Sequence, residues 1–146
     1  MVDPEQDAAF RGAVYGPPGW RFTLGHGRQS RPPWALDGET WALVTAWNPA
    51  GQPQGEAENR AAATELDRAL RALGTPAQPV INGSGPWEEE ARLIPGLDLR
   101  GAAALGRRFG QRAVLWGWGS RVALVWLGGG TVRVERFWVN RSGTPD

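Results

Sequence analysis

At 146 residues the chain has the size of one domain and enough sequence to bury a core without staples. It contains no cysteine, which excludes disulfides, thiolate metal sites and a cysteine nucleophile. A formal charge of +1 leaves no global electrostatic footprint for nucleic acid, and the 16 basic residues are all arginine, which excludes Schiff-base and P-loop lysines.

Residues 1–12 read as a frayed or weakly helical lead. They are acidic and polar with no apolar h-region, so no signal peptide is expected. No run approaches the roughly 18 apolar residues of a membrane span. The expectation is therefore one soluble, cytoplasmic domain over residues 1–146, with residues 1–12 and 140–146 as frayed tails. Gly16-Pro17-Pro18-Gly19 is a turn signal, and residues 20–24 alternate apolar and polar as a short edge strand would. Residues 25–33 form a loop, and the only histidine, His26, is expected to be a solvated loop residue.

Residues 41–47, Trp-Ala-Leu-Val-Thr-Ala-Trp, predict an interior strand. Trp41, Leu43, Thr45 and Trp47 share one face, and the small Ala42, Val44 and Ala46 face lets a helix approach. Asn48-Pro49 ends it, because proline has no N–H for the ladder. After a Gly/Pro/Gln loop, residues 57–73 predict a helix with Leu66, Leu70 and Leu73 on its apolar face. Glu56 and Glu58 sit at its positive end, and Gly74 follows as the C′ residue. Val80-Ile81 predicts a very short strand before the turn at residues 82–86, and residues 87–94 a longer one. Asp98 caps a second helix, residues 99–109, in which Gly101 and Gly106 reflect either close contact with the sheet or composition alone. Residues 113–118 and 121–127 flank the hairpin turn Gly119-Ser120, and residues 131–139 form a last strand, available for pairing across a dimer. From residue 41 the order is strand, helix, strand, strand, helix, strand, then two strands. That predicts an α+β fold: a two-layer, ferredoxin-like split βαβ sandwich with two helices and an extended, mainly antiparallel sheet.

Thr45-Ala46-Trp47-Asn48-Pro49, Glu58-Asn59-Arg60, Trp87 with Glu89 two residues on, and Leu105-Gly106-Arg107-Arg108-Phe109-Gly110-Gln111 with Ala113 resemble, in this order, the DUF3293 family of small bacterial proteins. The resemblance covers roughly residues 10–118. The chain departs from the family in having no serine between Ala50 and Gly55, and Ala91 lies near the place of a second. The resemblance implies no activity.

The candidate constellation is Asn48, Asn59, Arg60, Trp87, Glu89, Arg108 and Gln111. A strand end and a helix start expose polar groups to one crevice, where a small polar or nucleotide-like ligand would sit. Within Glu88-Glu89-Glu90 the strand period separates Glu89 from its neighbours, so Glu89 points inward. It is the best candidate for a general base, and burial would require a partner, most simply an arginine. No GxSxG elbow, P-loop, HExxH or dinucleotide fingerprint occurs, so no cofactor and no metal is expected. The alternative is a nucleic-acid or protein interaction module presenting Trp116, Trp118, Trp126 and Trp138 beside Arg133 and Arg136 on a sheet face, although the net charge does not favour nucleic acid.

Overall fold

The computed structural model describes residues 4–27, 30–36 and 38–142. Three helices, α1 (Pro4–Gly12), α2 (Glu56–Ala72) and α3 (Leu99–Arg108), accompany seven strands: β1 (Phe22–Gly25), β2 (Thr40–Thr45), β3 (Gln78–Asn82), β4 (Glu89–Pro95), β5 (Ala113–Trp118), β6 (Arg121–Trp126) and β7 (Arg133–Arg141). The strands form one sheet in the order β1-β7-β6-β5-β2-β4-β3, with every neighbouring pair antiparallel. The fold is α+β, and the sheet curls into a half-barrel.

Strand alternation builds two cores, one on each face. On the convex face Ala42 and Val44 of β2, with Ala46 just beyond it, meet Leu66, Ala69 and Leu70 of α2 and Ala102, Ala103 and Leu105 of α3. The small side chains of β2 admit both helices to close range. Gly106 serves the same end, because a Cβ there would stand 2.4 Å from Leu127 Cδ1 and 2.6 Å from Val114 Cγ1. Asp98 caps α3 by accepting from Gly101 N at 2.7 Å. Arg92 of β4, almost fully buried, is held by Asp67 of α2 (Nε–Oδ1 2.8 Å, Nη2–Oδ2 3.2 Å) and by Glu90 (2.8 Å).

The concave face carries Trp41, Leu43, Ala91, Leu93, Leu115, Leu124, Phe137 and Val139 around Tyr15 and Phe22. Trp41 is wholly buried and takes Trp34 and Phe22 edge-to-face at centroid distances of 5.5 and 5.8 Å. Its Nε1–H donates to Gly119 O at 3.0 Å. This face too is covered, so a two-layer sandwich with two helices leaves out one layer. The missing layer is the N-terminal lead. Residues 4–12 form α1, pinned across the sheet by Arg112–Asp7 (2.8 Å) and Arg11–Glu135 (2.9 Å), and Tyr15 Oη donates to Phe10 O at 2.6 Å.

Three other expectations change. Trp87 lies in a short 3-10 turn, Gly85–Trp87, and the strand starts at Glu89. The last strand is not an edge: β1 pairs with β7 from Phe22↔Arg141 to Gly25↔Trp138, so residues 140 and 141 belong to the sheet and the edges are β1 and β3. Residues 143–146 of the expected tail lie outside the described residues. Among the described residues no helix is long and apolar enough to cross a membrane.

Gly117 shows how tightly the concave core is set. A Cβ at this position would lie 2.2 to 2.6 Å from Trp41 Cε2, Cζ2 and Nε1. Gly117→Ala is expected to destabilise the fold by about 1–3 kcal/mol or more, as overpacking does, because a rigid buried indole must move and give up its bond to Gly119. Gly12→Ala, which meets nothing within 4 Å, serves as the control in parallel urea denaturations.

Candidate functional site

Where β2 ends the chain turns through the left-handed region. Asn48 has φ 48° and ψ 64°, Ala50 has φ 58°, and Gly51 follows with φ 74°. Asparagine tolerates this region better than most residues, whereas Ala50 is strained there. The turn is held from outside. Ala50 N donates to Gly110 O at 2.7 Å, and Asn48 N donates to Asn59 Oδ1 at 3.1 Å.

Asn59, in the first turn of α2 and 6% exposed, returns the bond: its Nδ2 donates to Asn48 Oδ1 at 3.1 Å. Gln54 joins both amides, its backbone N donating to Asn48 Oδ1 and its Nε2 to Asn59 Oδ1, each at 2.9 Å. The remaining end of Asn48, Nδ2, donates to Glu89 Oε2 at 2.9 Å. The strand end, the helix start and the first residue of β4 are thus joined by a closed set of amide bonds. Gln111 supports it from behind, donating to Trp47 O (3.0 Å) and Phe109 O (3.3 Å). Thr45 Oγ1 donates to Glu90 O at 2.7 Å and accepts from Trp47 N at 3.0 Å.

This network borders a cavity of about 380 Å³ at the end of the concave face. The apolar floor includes Phe10, Tyr15, Leu43, Leu115 and Leu124, and the polar rim includes Thr45, Asn48, Asn82, Glu88 and Glu89, with Trp87 at the mouth. Trp87 is 80% exposed. Asn82 and Glu89 face each other across the β3–β4 pair, so their side chains share one face. Glu89 Oε1 has no protein partner among the described residues, and Asn82 Oδ1 is buried without one. Burial raises the Glu89 carboxyl above its ordinary 4.5, and the Asn48 hydrogen bond opposes that rise. Stability contributed through Glu89 is therefore complete below the unfolded-state value and is lost as pH climbs through the raised folded value. Burial also raises the Tyr15 hydroxyl, and the charge of Glu89 adds to the rise.

Of the residues singled out from the sequence, Asn48, Trp87 and Glu89 line the cavity, while Asn59 and Gln111 hold its wall from behind. Arg60 and Arg108 do not join them. Arg60 pairs with Glu56 one turn back (3.0 Å) on the solvent side of α2, and the Arg108 guanidinium lies over Phe109 at 5.6 Å. The inward direction of Glu89 follows the strand period, but its partner is an amide, not an arginine.

Sequence reasoning missed Asn82, Tyr15 and Arg21. Asn82 reads as the first residue of a turn. Arg21 donates to Ile81 O, to Gly83 O (2.7 Å) and to Gly16 O (2.9 Å), tying the end of β3 to the N-terminal lead. No sequence spacing connects those residues. Among the described residues no three His, Cys, Asp or Glu side chains come together as a metal site requires.

Asn59→Ala strips partners from the Asn48 backbone N–H, the Asn48 side chain and the Gln54 amide. It is expected to cost about 1–3 kcal/mol, the penalty of leaving buried polar groups unpaired. Arg60→Ala, one residue on, is expected to stay within about 0.5 kcal/mol. Urea denaturation of the two variants side by side measures the difference.

No curated protein matches the chain. Residues 44–114 match the family model described as "Protein of unknown function (DUF3293)", a stretch that holds Asn48, Asn59, Asn82, Trp87, Glu89 and Gln111 but not the α1 lid. Over this segment the chain is similar to the DUF3293 family.

Proposed function

We propose that the cavity beside Glu89 binds a small neutral or cationic molecule with a flat apolar body and an edge of N–H donors. A nucleobase, nucleoside or aromatic amine has this chemistry. The observation that carries the reading is the pair of open acceptors: Asn82 Oδ1, buried and unpartnered, stands across one strand pair from the free oxygen of Glu89. A buried acceptor without a donor costs free energy, and a ligand that supplies the donor recovers it. Phe10, Tyr15 and Leu43 supply apolar surface for the ring, and Trp87 at the mouth offers a face for stacking. The volume lies within the range of small-molecule sites.

Charge narrows the class further. Glu88 and Glu89 line the cavity and no arginine does, so phosphate and carboxylate groups meet repulsion with no compensating fork. The reading therefore favours a base or nucleoside over a nucleotide. Asn48 and Asn59 are spent on each other, on Gln54 and on Glu89, and act by positioning the carboxylate rather than by touching the ligand.

A thermal-shift series with nucleobases, nucleosides and aromatic amines, each beside its phosphorylated or carboxylated counterpart, tests the proposal. Saturation at a hundredfold excess over Kd adds about 2.7 kcal/mol of apparent stability. The uncharged or cationic members are expected to stabilise the protein and their anionic counterparts to do so less. Glu89→Gln is expected to weaken binding by about tenfold or more, the worth of a charge-assisted hydrogen bond. Stabilisation by the anions alone, or equal shifts in wild type and Glu89→Gln, would contradict it.

A further inference from the structure

The convex face is covered only in part. Helices α2 and α3 pack over residues of β2, β4, β5 and β6, whereas no residue of β7 or β1 joins that cluster. Trp116 closes the covered half, its Nε1–H donating to Leu97 O at 2.9 Å. Beyond it lies a groove of about 680 Å³ that includes Trp116, Trp118, Arg121, Arg136 and Trp138.

Strand register sets the order of these side chains. Trp118 pairs with Arg121 and Arg121 with Trp138, so the three form one row across three strands. Trp116, Ala123 and Arg136 form the next row. Partners in register share a face, so the rows lie side by side. Trp118 is 61% exposed, and the Arg121 guanidinium lies 4.3 Å from the centroid of the Trp138 ring. A guanidinium over an aromatic ring keeps its charge. No carboxylate lines the groove, and neither Arg121 nor Arg136 has a carboxylate partner among the described residues.

We propose that this groove docks single-stranded nucleic acid, with bases stacked on Trp118 and against the Arg121–Trp138 pair and with backbone phosphates on Arg121 and Arg136. Charge complementarity selects this occupant. One exposed and two half-buried indoles alternating with arginines that have no carboxylate partner among the described residues suit a flexible polyanion that carries flat rings. The face differs from the one expected from the sequence. Trp126 and Arg133 lie on the concave side, where Trp126 is 4% exposed and donates to Glu135 at 3.2 Å, while Arg121 joins the exposed set. The groove and the Glu89 cavity are on opposite faces and share no lining residue.

Fluorescence anisotropy of a labelled twelve-residue oligothymidylate, titrated with the full chain at 20 mM and 200 mM NaCl, tests this. Binding at low salt is expected. With two phosphates neutralised, the slope of log K against log salt should be about −1.4. Trp118→Ala is expected to weaken binding about tenfold, the scale of one lost stacking contact, and Arg136→Glu to weaken it and flatten the slope. Trp118 is exposed, so its variant folds, and Gly12→Ala, which meets nothing within 4 Å and lines neither cavity nor groove, is expected to bind as wild type does. Four results would each overturn the proposal: no binding at 20 mM NaCl; affinity unchanged in both groove variants; loss of binding in Glu89→Gln alone; or sedimentation showing chains that self-associate through a contact abolished by Trp118→Ala.

Discussion

Asn48 stands in left-handed backbone directly after β2, and both ends of its side-chain amide are committed to neighbours. A strand that ends in such a turn needs something to hold it there, because Ala50, two residues on, is also left-handed and has no intrinsic preference for that region. Asn59 supplies the hold from α2 and Gly110 from the end of α3. Chain segments far apart in sequence therefore meet at one turn. Glu89 is brought into the same set by Asn48 Nδ2, so the half-buried carboxylate is fixed by an amide network rather than by a counter-ion. This leaves its other oxygen, and its charge, directed at the cavity.

The two faces of the sheet are covered by different devices, the convex one only in part. On the convex side small residues on β2 admit α2 and α3. On the concave side the sheet curls around Trp41, Phe22 and Trp34, and α1 closes the open end. Two ion pairs hold that helix, and Asp7, buried at 4% exposure, is tied to Arg112 at the foot of β5. Fold and site are coupled here, since Phe10 and Ala13 line the cavity while the ion pairs that seat them contact β7 and β5.

Much of this was legible locally. The alternation in residues 41–47 assigned each face of β2, Asp98 announced α3, and the strand period separated Glu89 from Glu90, which pairs with Arg92, whereas Glu88 precedes the strand and lines the same cavity as Glu89. Each signal is written within a few residues. The sequence reading failed where partners are distant. Arg92 reads as one more polar residue in a strand until Asp67 closes over it from α2. Asn82 reads as turn chemistry until β4 sets Glu89 opposite. Arg60 and Arg108 were drawn into the site by their neighbours in sequence, yet a helix turns roughly 100° per residue, which carries Arg60 away from the face that Asn59 buries. The tryptophans near the C-terminus were grouped by composition, but strand parity divides them, burying Trp126 on one face and leaving Trp118 and Trp138 on the other.

The most direct measurement is a carbon-detected NMR titration of the Glu89 side-chain carboxyl in wild type and in Asn48→Ala. Burial raises this group and the Asn48 bond lowers it, so the wild-type value should lie above 4.5 and the variant's higher still. Stability should fall with rising pH across the same window, since the folded state there holds the proton that the unfolded state has released. A Glu89 that titrates with the exposed carboxylates, or one that Asn48→Ala leaves unmoved, would contradict the claim that the amide network holds a half-buried carboxylate against the cavity.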